Sequence, residues 1–198
     1  MIADAISRLR RDCGVPVEVQ RRGPVPLNRF FEETAITHTA LAGLTCGKVS
    51  EHLASIGVTV ESVGEPTEAL AGFLFFAGRA GFAFVNADDI LPRRRFTAAH
   101  ELGHAVLHRE RMGRFTADTD KTLREADEAT DDLEREANRF AAELLMPVEV
   151  CEARAEELRR EYQACPRMVL AYRLASELLV SREAMRYRLK TLEIGDDD

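Results

Sequence analysis

The sequence predicts a mostly helical α+β fold with one small antiparallel sheet, and three observations support this prediction. Apolar residues recur at the three- and four-residue spacing of helices over most of the 198-residue chain. Residues 58–87 instead show the two-residue period of strands, and five of the ten phenylalanines fall within residues 73–84. Hydrophobic residues make up 45% of the chain and charged residues 31%, as in globular proteins with a buried core.

The order of these patterns divides the chain into three expected regions. They are an N-terminal helix with a proline-rich arm (1–35), a central core (36–147) and a C-terminal helical region with an acidic tail (148–198). In the first region, residues 2–12 have helical spacing up to Gly14, and a proline-rich connection follows.

The central core is expected to begin with helices and continue with strands. Residues 32–56 predict two helical pieces, and Ser50 is the candidate N-cap of the second. Strands are predicted at 58–63, 71–78 and 81–87. The phenylalanines indicate that both faces of the hairpin are covered, so the sheet should pack on the helix that follows, whose first turn suits Pro92.

That helix carries the pattern His100-Glu101-Leu102-Gly103-His104 within the stretch 96–108. On a helix the two histidines lie one turn apart on the same face, so both imidazoles can bind one metal ion with Glu101 beside them. Gly103 costs such a helix about 1 kcal/mol relative to alanine. We therefore expect another backbone to approach closely at Gly103.

This spacing suits the chemistry of a metal-dependent hydrolase. Such a metal is held by about three protein ligands and lowers the pKa of water at its open position towards about 7. Glu101 is placed to take a proton from that water and later to donate it to a leaving amine. Zinc suits this ligand set best, although Mn²⁺ and Fe²⁺ tolerate it. His108 could be a further ligand, but a structural or supporting role is expected one turn beyond His104.

A third ligand is expected from the next helix, residues 133–147, which Pro147 ends. Glu134 and Glu136 flank its apolar stripe about 160° apart around the axis, so only one of them can face the metal. With Asp131 as N-cap, Glu134 occupies the capping-box position and has a structural role there. Glu136 is therefore the expected third ligand.

Two segments carry a resemblance to a known family. RRRFTAAHELGHAVLH (93–108) followed by EREANRFAAELLMP (134–147) resembles the paired signature of the ImmA/IrrE-type metallopeptidases. The resemblance implies that His100, His104 and Glu136 bind the metal and that Glu101 is the general base. It also implies an intracellular protease that cleaves a partner helix-turn-helix repressor, relieving repression of stress-response or mobile-element genes.

The C-terminal region predicts a helix after Pro147 and then a pair of helices at 168–179 and 182–192, with Ser181 capping the second. The pair resembles a helix-turn-helix. Four basic residues of its second helix could contact DNA phosphates: Arg182, Arg186, Arg188 and Lys190. Direct DNA binding is nevertheless not expected, because the net charge is −7 and similar helical pairs commonly close a domain by packing. The alternative to a protease is a non-catalytic, metal-containing regulator that binds a repressor or DNA.

Composition limits the remaining possibilities. There is no apolar run of membrane-spanning length and no signal peptide, and the four cysteines form no C-x-x-C pair, so a cytoplasmic protein with free thiols and no membrane partner is expected. A side chain that stabilises an oxyanion should lie near the metal. The candidates, which the sequence does not distinguish, are Tyr162, Tyr172, Arg94 and His108.

Overall fold

The computed structural model describes residues 1–60, 64–112, 115–118, 132–162 and 165–195. Within these ranges the chain forms eight α-helices and a four-stranded sheet, which confirms the predicted α+β class. The helices are α1 (Ile2–Asp12), α2 (Leu27–Glu33), α3 (Cys46–Ser55), α4 (Leu91–Leu107), α5 (Asp132–Leu145), α6 (Val148–Tyr162), α7 (Arg167–Leu178) and α8 (Arg182–Thr191). The strands are β1 (Ile36–Leu41), β2 (Gly72–Ala77), β3 (Ala80–Asn86) and β4 (Phe115–Asp118).

The sheet is mixed rather than antiparallel. Its strand order is β1-β3-β2-β4, in which β2 runs antiparallel to both of its neighbours and β1 runs parallel to β3. The predicted hairpin is therefore present, but residues 36–41, which were expected to be helical, join it as a strand. Ile36 lies opposite Gly81 in that pairing. Residues 36–41 form a strand despite their helical spacing, because they pair with a strand far along the chain.

Two other local predictions need correction. The strand expected at 58–63 is not observed at 58–60, which have no regular secondary structure, and 61–63 lie outside the described residues. The N-cap of α3 is Thr45, whose Oγ1 accepts a hydrogen bond from the Lys48 N–H at 3.3 Å. Ser50 lies inside that helix, and its hydroxyl donates to the carbonyl of Cys46.

The sheet lies between two layers of helices, as the phenylalanine-rich hairpin predicted. One face, with Leu74 and Val85, joins the main core together with Leu102 of α4. The other face packs a smaller core around α3, whose members are Leu44, Cys46, Val49, Leu53, Leu70, Phe73, Phe75 and Phe84. Because both faces are buried, the sheet holds the neighbouring helix α4 in a fixed position.

Helices α4 and α5 pack closely at Gly103. A Cβ atom added there would lie 3.2 Å from both the Cα and the carbonyl oxygen of Ala137, and 3.1 Å from the Phe140 ring. The expected backbone approach is therefore confirmed, and α5 is the element that makes it. The contact aligns the two helices that carry the candidate site.

The N- and C-terminal regions share the main core with these helices. Arg10 of α1 and Gln20 both donate hydrogen bonds to the carbonyl of Leu144 at the end of α5, at 3.0 and 3.2 Å. Arg188 of α8 donates to the carbonyl of Met146, the residue that follows α5. Ser181 caps α8 as predicted, accepting a hydrogen bond from the Ala184 N–H. Among the described residues, no helix is long and apolar enough to cross a membrane.

Candidate metal centre

The two histidines of the central motif face each other on α4. Their Nε2 atoms lie 2.9 Å apart, and both rings are buried. Helical spacing alone predicts this arrangement, because residues four apart project from the same face. Two imidazole nitrogens therefore converge on one point beneath the sheet.

Two carboxylates complete the cluster. Glu134 of α5 bridges the histidines, with Oε2 3.3 Å from His100 Nε2 and Oε1 3.2 Å from His104 Nε2. Asp118, at the end of β4, places Oδ2 3.2 Å from His100 Nε2. One atom from each of these four residues lies within 4.8 Å of the others, which is close enough for all of them to hold one metal ion.

Glu136, the third ligand expected from the sequence, is not in this cluster. It is 39% exposed at the side chain and lies on the far side of His108, with Oε2 2.8 Å from His108 Nε2. The two glutamates are on opposite sides of α5, so only one can face the histidine pair, and that one is Glu134. Asp131, the expected N-cap of this helix, lies outside the described residues.

The orientation of each ring is fixed by a contact on its other nitrogen. His100 Nδ1 lies 2.7 Å from the side-chain oxygen of Asn138, one turn after Glu134 on α5. His104 Nδ1 lies 3.2 Å from Nδ1 of the buried His108. An amide oxygen only accepts hydrogen bonds, so Nδ1 of His100 carries a proton and Nε2 is left to face the cluster.

Glu101 is buried beside the cluster. Its Oε2 accepts a hydrogen bond from the Thr116 hydroxyl of β4 at 3.4 Å. The space for its carboxylate depends on Gly72 of β2, because a Cβ atom there would collide with Glu101 Oε1. The sheet thus positions the expected general base as well as one carboxylate of the cluster.

Enclosure of these groups shifts their pKa values. Burial and the neighbouring Asp118 carboxylate raise the pKa of Glu101 well above its ordinary value. Burial lowers the pKa of His100, but Asp118 and Glu134 outweigh it and raise the pKa to about 10. Burial raises the pKa of Glu134, but the adjacent imidazoles of His100 and His104 outweigh this effect and hold the pKa below its ordinary value.

The donor set fits a divalent cation. Three buried carboxylate oxygens lie at the site, Glu101 Oε1, Asp118 Oδ2 and Glu134 Oε2, and among the described residues they have no hydrogen-bond donor other than the histidines. Buried carboxylate oxygens without a donor are costly, and a bound cation would offset that cost. Imidazole nitrogens with carboxylate oxygens suit zinc, manganese or iron(II).

The candidate oxyanion residues lie outside this four-residue cluster. Tyr162 and Tyr172 are exposed and lie beneath the guanidinium groups of Arg173 and Arg182. Arg94 is close enough to His38 to contribute to lowering its pKa, together with the larger effect of burial. His108 contacts the side of His104 that faces away from the cluster.

Four residues of the site were not singled out from the sequence. Asp118 was part of an acidic run and Asn138 part of the second motif, while Gly72 and Thr116 carried no local signal. Asn138 follows Glu134 by four residues, so the two share one side of α5. That pairing was one sign in the sequence that Glu134, and not Glu136, faces the histidines.

An H-E-x-x-H helix joined by a carboxylate from a second helix, on an α+β scaffold, defines the class of protein: a metallopeptidase-type fold and site. A comparison with models of protein families then identifies the family. The model of the IrrE N-terminal-like domain, in the peptidase M78 family, matches residues 54–190, more than half of the chain. The chain belongs to this family, which confirms the resemblance noted in its two motifs. A comparison with curated proteins found no match.

Proposed function

We propose that this protein is a zinc-dependent endopeptidase. The observation that carries the proposal is Glu101, a buried carboxylate beside a cluster of two histidines and two carboxylates, with one oxygen that no donor in the described part of the chain contacts. His100, His104 and Glu134 would hold the metal, and Asp118 is close enough to add a further oxygen. A purely structural metal site has no use for a general base at this position.

The chemistry of peptide hydrolysis assigns a task to each group. A divalent cation bound here would supply Lewis-acid chemistry, acidifying water and polarising the peptide carbonyl. Glu101 accepts the proton of the attacking water and then donates it to the leaving amine. The raised pKa of Glu101 suits this exchange, because a base must be able to hold the proton between the two steps. Thr116 orients the Glu101 carboxylate from β4.

An edge strand next to the site suggests how a substrate binds. Of the four strands in the described ranges, β4 is at one edge and pairs only with β2. Its Thr116 contacts Glu101, and its last residue, Asp118, belongs to the cluster. An extended peptide that pairs with the outer edge of β4 would pass the metal centre, with backbone hydrogen bonds providing affinity.

The proposed substrate is a helix-turn-helix transcriptional repressor, whose cleavage would relieve repression of stress-response or mobile-element genes. Two considerations support this choice: the family to which the chain belongs, and its resemblance to ImmA/IrrE-type proteases over both motifs. Backbone pairing at β4 makes little sequence demand, so selection of one substrate would depend on contacts away from the cleaved bond.

The first test compares the parent with Glu101→Gln and Glu134→Ala. We expect about one zinc ion per chain in the parent and in Glu101→Gln, and reduced zinc in Glu134→Ala, as measured by elemental mass spectrometry. Glu143→Ala is the matched control, because Glu143 lies on the same helix and pairs with Arg139. A parent that retains no zinc when it is offered at neutral pH would contradict the metal site.

The second test seeks the substrate. The zinc-loaded parent and Glu101→Gln are incubated with a native lysate of the source cells, and new protein N-termini are identified by mass spectrometry. New N-termini in a helix-turn-helix repressor, produced only by the parent, would support the proposal. Parent-specific cleavage confined to other proteins would refute the repressor as substrate, and cleavage that persists in Glu101→Gln would refute the mechanism.

The rival hypothesis, DNA binding through α7 and α8, receives less support from the side chains. Two of the four basic residues that could contact phosphates have other partners. Arg188 donates to the Met146 carbonyl, and Arg182 lies over the Tyr172 ring. Both contacts pack α8 against the rest of the protein. The observations favour the peptidase.

A further inference from the structure

Beyond the cluster itself, a chain of contacts runs from His104 to the protein surface. His104 Nδ1 lies 3.2 Å from His108 Nδ1, and His108 Nε2 lies 2.8 Å from Glu136 Oε2. The two histidines are buried, whereas Glu136 is 39% exposed and lies 3.7 Å from Arg111 at the surface. The mechanism proposed above uses neither His108 nor Glu136.

The direction of each hydrogen bond in this chain is determined by its outer end. An ionised carboxylate only accepts hydrogen bonds, so Nε2 of His108 must donate to Glu136. A neutral imidazole has one N–H, so Nδ1 of His108 is then an acceptor. The adjacent Nδ1 of His104 must therefore carry the proton, which leaves the lone pair of its Nε2 directed at the cluster.

We propose that Glu136 and His108 are positioning residues that hold His104 in the tautomer able to bind the metal. This inference rests on the proposed metal site but assigns a task to two residues outside it. Glu136, expected from the sequence to bind the metal, thus acts on it through two imidazole rings. The same helix, α5, supplies both the bridging ligand Glu134 and, on its other side, the residue that fixes the second histidine.

The arrangement around the other histidine supports this reading. His100 has the same requirement, and there the acceptor for its Nδ1 proton is the Asn138 oxygen at 2.7 Å. An amide oxygen accepts without further help, whereas a histidine accepts only in one of its two tautomers. His108 therefore needs Glu136, and Asn138 needs no equivalent partner.

Because of this difference, one conservative substitution at His108 should preserve zinc binding. The side-chain oxygen of asparagine occupies nearly the same place relative to the backbone as Nδ1 of histidine. His108→Asn can therefore offer His104 an acceptor without depending on Glu136. His108→Leu fills the buried space but leaves the His104 N–H without an acceptor. Glu143→Ala again serves as the control for loss of a carboxylate from α5.

The experiment measures the zinc dissociation constant of each full-length variant by competition with a chromophoric chelator at one pH. Loss of a supporting partner typically weakens metal binding about 10- to 100-fold. We expect weakening in that range for His108→Leu and about tenfold for Glu136→Ala, with His108→Asn and Glu143→Ala within about threefold of the parent. In the His108→Asn background, adding Glu136→Ala should have no further effect.

A second readout reports the tautomer directly. In zinc-loaded protein labelled with ¹⁵N at histidine, long-range ¹H–¹⁵N spectra should show His104 protonated at Nδ1 and His108 protonated at Nε2. In zinc-free Glu136→Ala, a signal from His104 protonated only at Nε2 should appear. A role limited to packing would change thermal stability without changing either nitrogen signal.

The proposal would be overturned if His108→Asn bound zinc as weakly as His108→Leu, or if Glu136→Ala bound it as tightly as the parent. These failures can be distinguished from failure of the proposed function. Zinc affinities that follow the expected pattern without any Glu101-dependent cleavage would refute the peptidase and retain the positioning role of Glu136 and His108. Cleavage by the parent with equal zinc affinity in all variants would refute the positioning role and retain the peptidase.

Discussion

At the residue scale, the candidate metal centre joins two buried acidic side chains, Glu101 and Asp118, and the partly buried Glu134 with two imidazoles. Burial and the Asp118 carboxylate raise the pKa of Glu101, whereas Asp118 and Glu134 outweigh burial and raise the pKa of His100. With a pKa of about 10, His100 holds a second proton at neutral pH. In the zinc-free protein this contribution to stability is fully present below pH 6.5 and is lost as the pH rises through about 10.

Zinc must displace that second proton, so the apparent zinc affinity should rise with pH. Because His100 is protonated below pH 10, we expect about a tenfold tighter dissociation constant per pH unit between about pH 7 and 8.5. Titration calorimetry in buffers with different ionisation enthalpies would measure the released proton. An affinity that is constant over this range would contradict the raised pKa of His100.

Some residues of the site could be predicted from the sequence, and others could not. His100, Glu101 and His104 come together because helical spacing alone dictates it. The choice between Glu134 and Glu136 depended on the rotation of α5, which an apolar stripe defines only coarsely. Leu145, which is buried, extends the stripe towards the side of Glu134. Asp118 could not be predicted from local spacing, because it lies outside the motif and only the pairing of β4 with β2 brings it next to α4.

At the element scale, the relation between α4 and α5 positions the site. Gly103 allows the backbones to approach, and Glu134 and Asn138 lie on the α5 turns on either side of Ala137, the residue that Gly103 faces. The helices were predictable from local spacing, whereas β1 was not, because residues 36–41 become a strand only by pairing with β3. Where an element depends on a distant partner, local periodicity is insufficient.

Gly103→Ala tests this packing. Alanine favours a helix by about 1 kcal/mol, but its methyl group would press on the Ala137 backbone, and overpacking of this kind costs about 1–3 kcal/mol. We expect a lower melting temperature and, because α5 carries Glu134, weaker zinc binding. Thermal melts with and without zinc, together with the chelator competition, would measure both effects. A variant at least as stable as the parent with unchanged zinc affinity would show that the contact is not a tight one.

At the scale of the whole molecule, the end of α5 is where the three regions of the chain meet. Carbonyls at residues 144–146 accept hydrogen bonds from Arg10, Gln20 and Arg188, so donors from both terminal regions satisfy groups that the helix leaves unpaired. One core cluster also runs from Ile6 to Ile194 through all three regions. The sequence suggested the boundaries from changes of pattern, but a pattern does not show which surfaces are buried against each other.

A chain shortened to residues 1–147 should therefore fail to fold cooperatively. The deletion removes α6–α8 with their buried side chains, including Leu170, Leu174 and Leu189, which belong to the same core cluster as Phe140 and Leu144 of α5. We expect no cooperative thermal transition by circular dichroism and no stable zinc binding, although every residue of the metal centre is retained. A chain ending at Gly195 is the control, because it keeps all of these helices. If the 1–147 fragment melted cooperatively and bound zinc like the parent, the central region would be an independent domain, and the hydrogen bond from Arg188 to α5 would be dispensable.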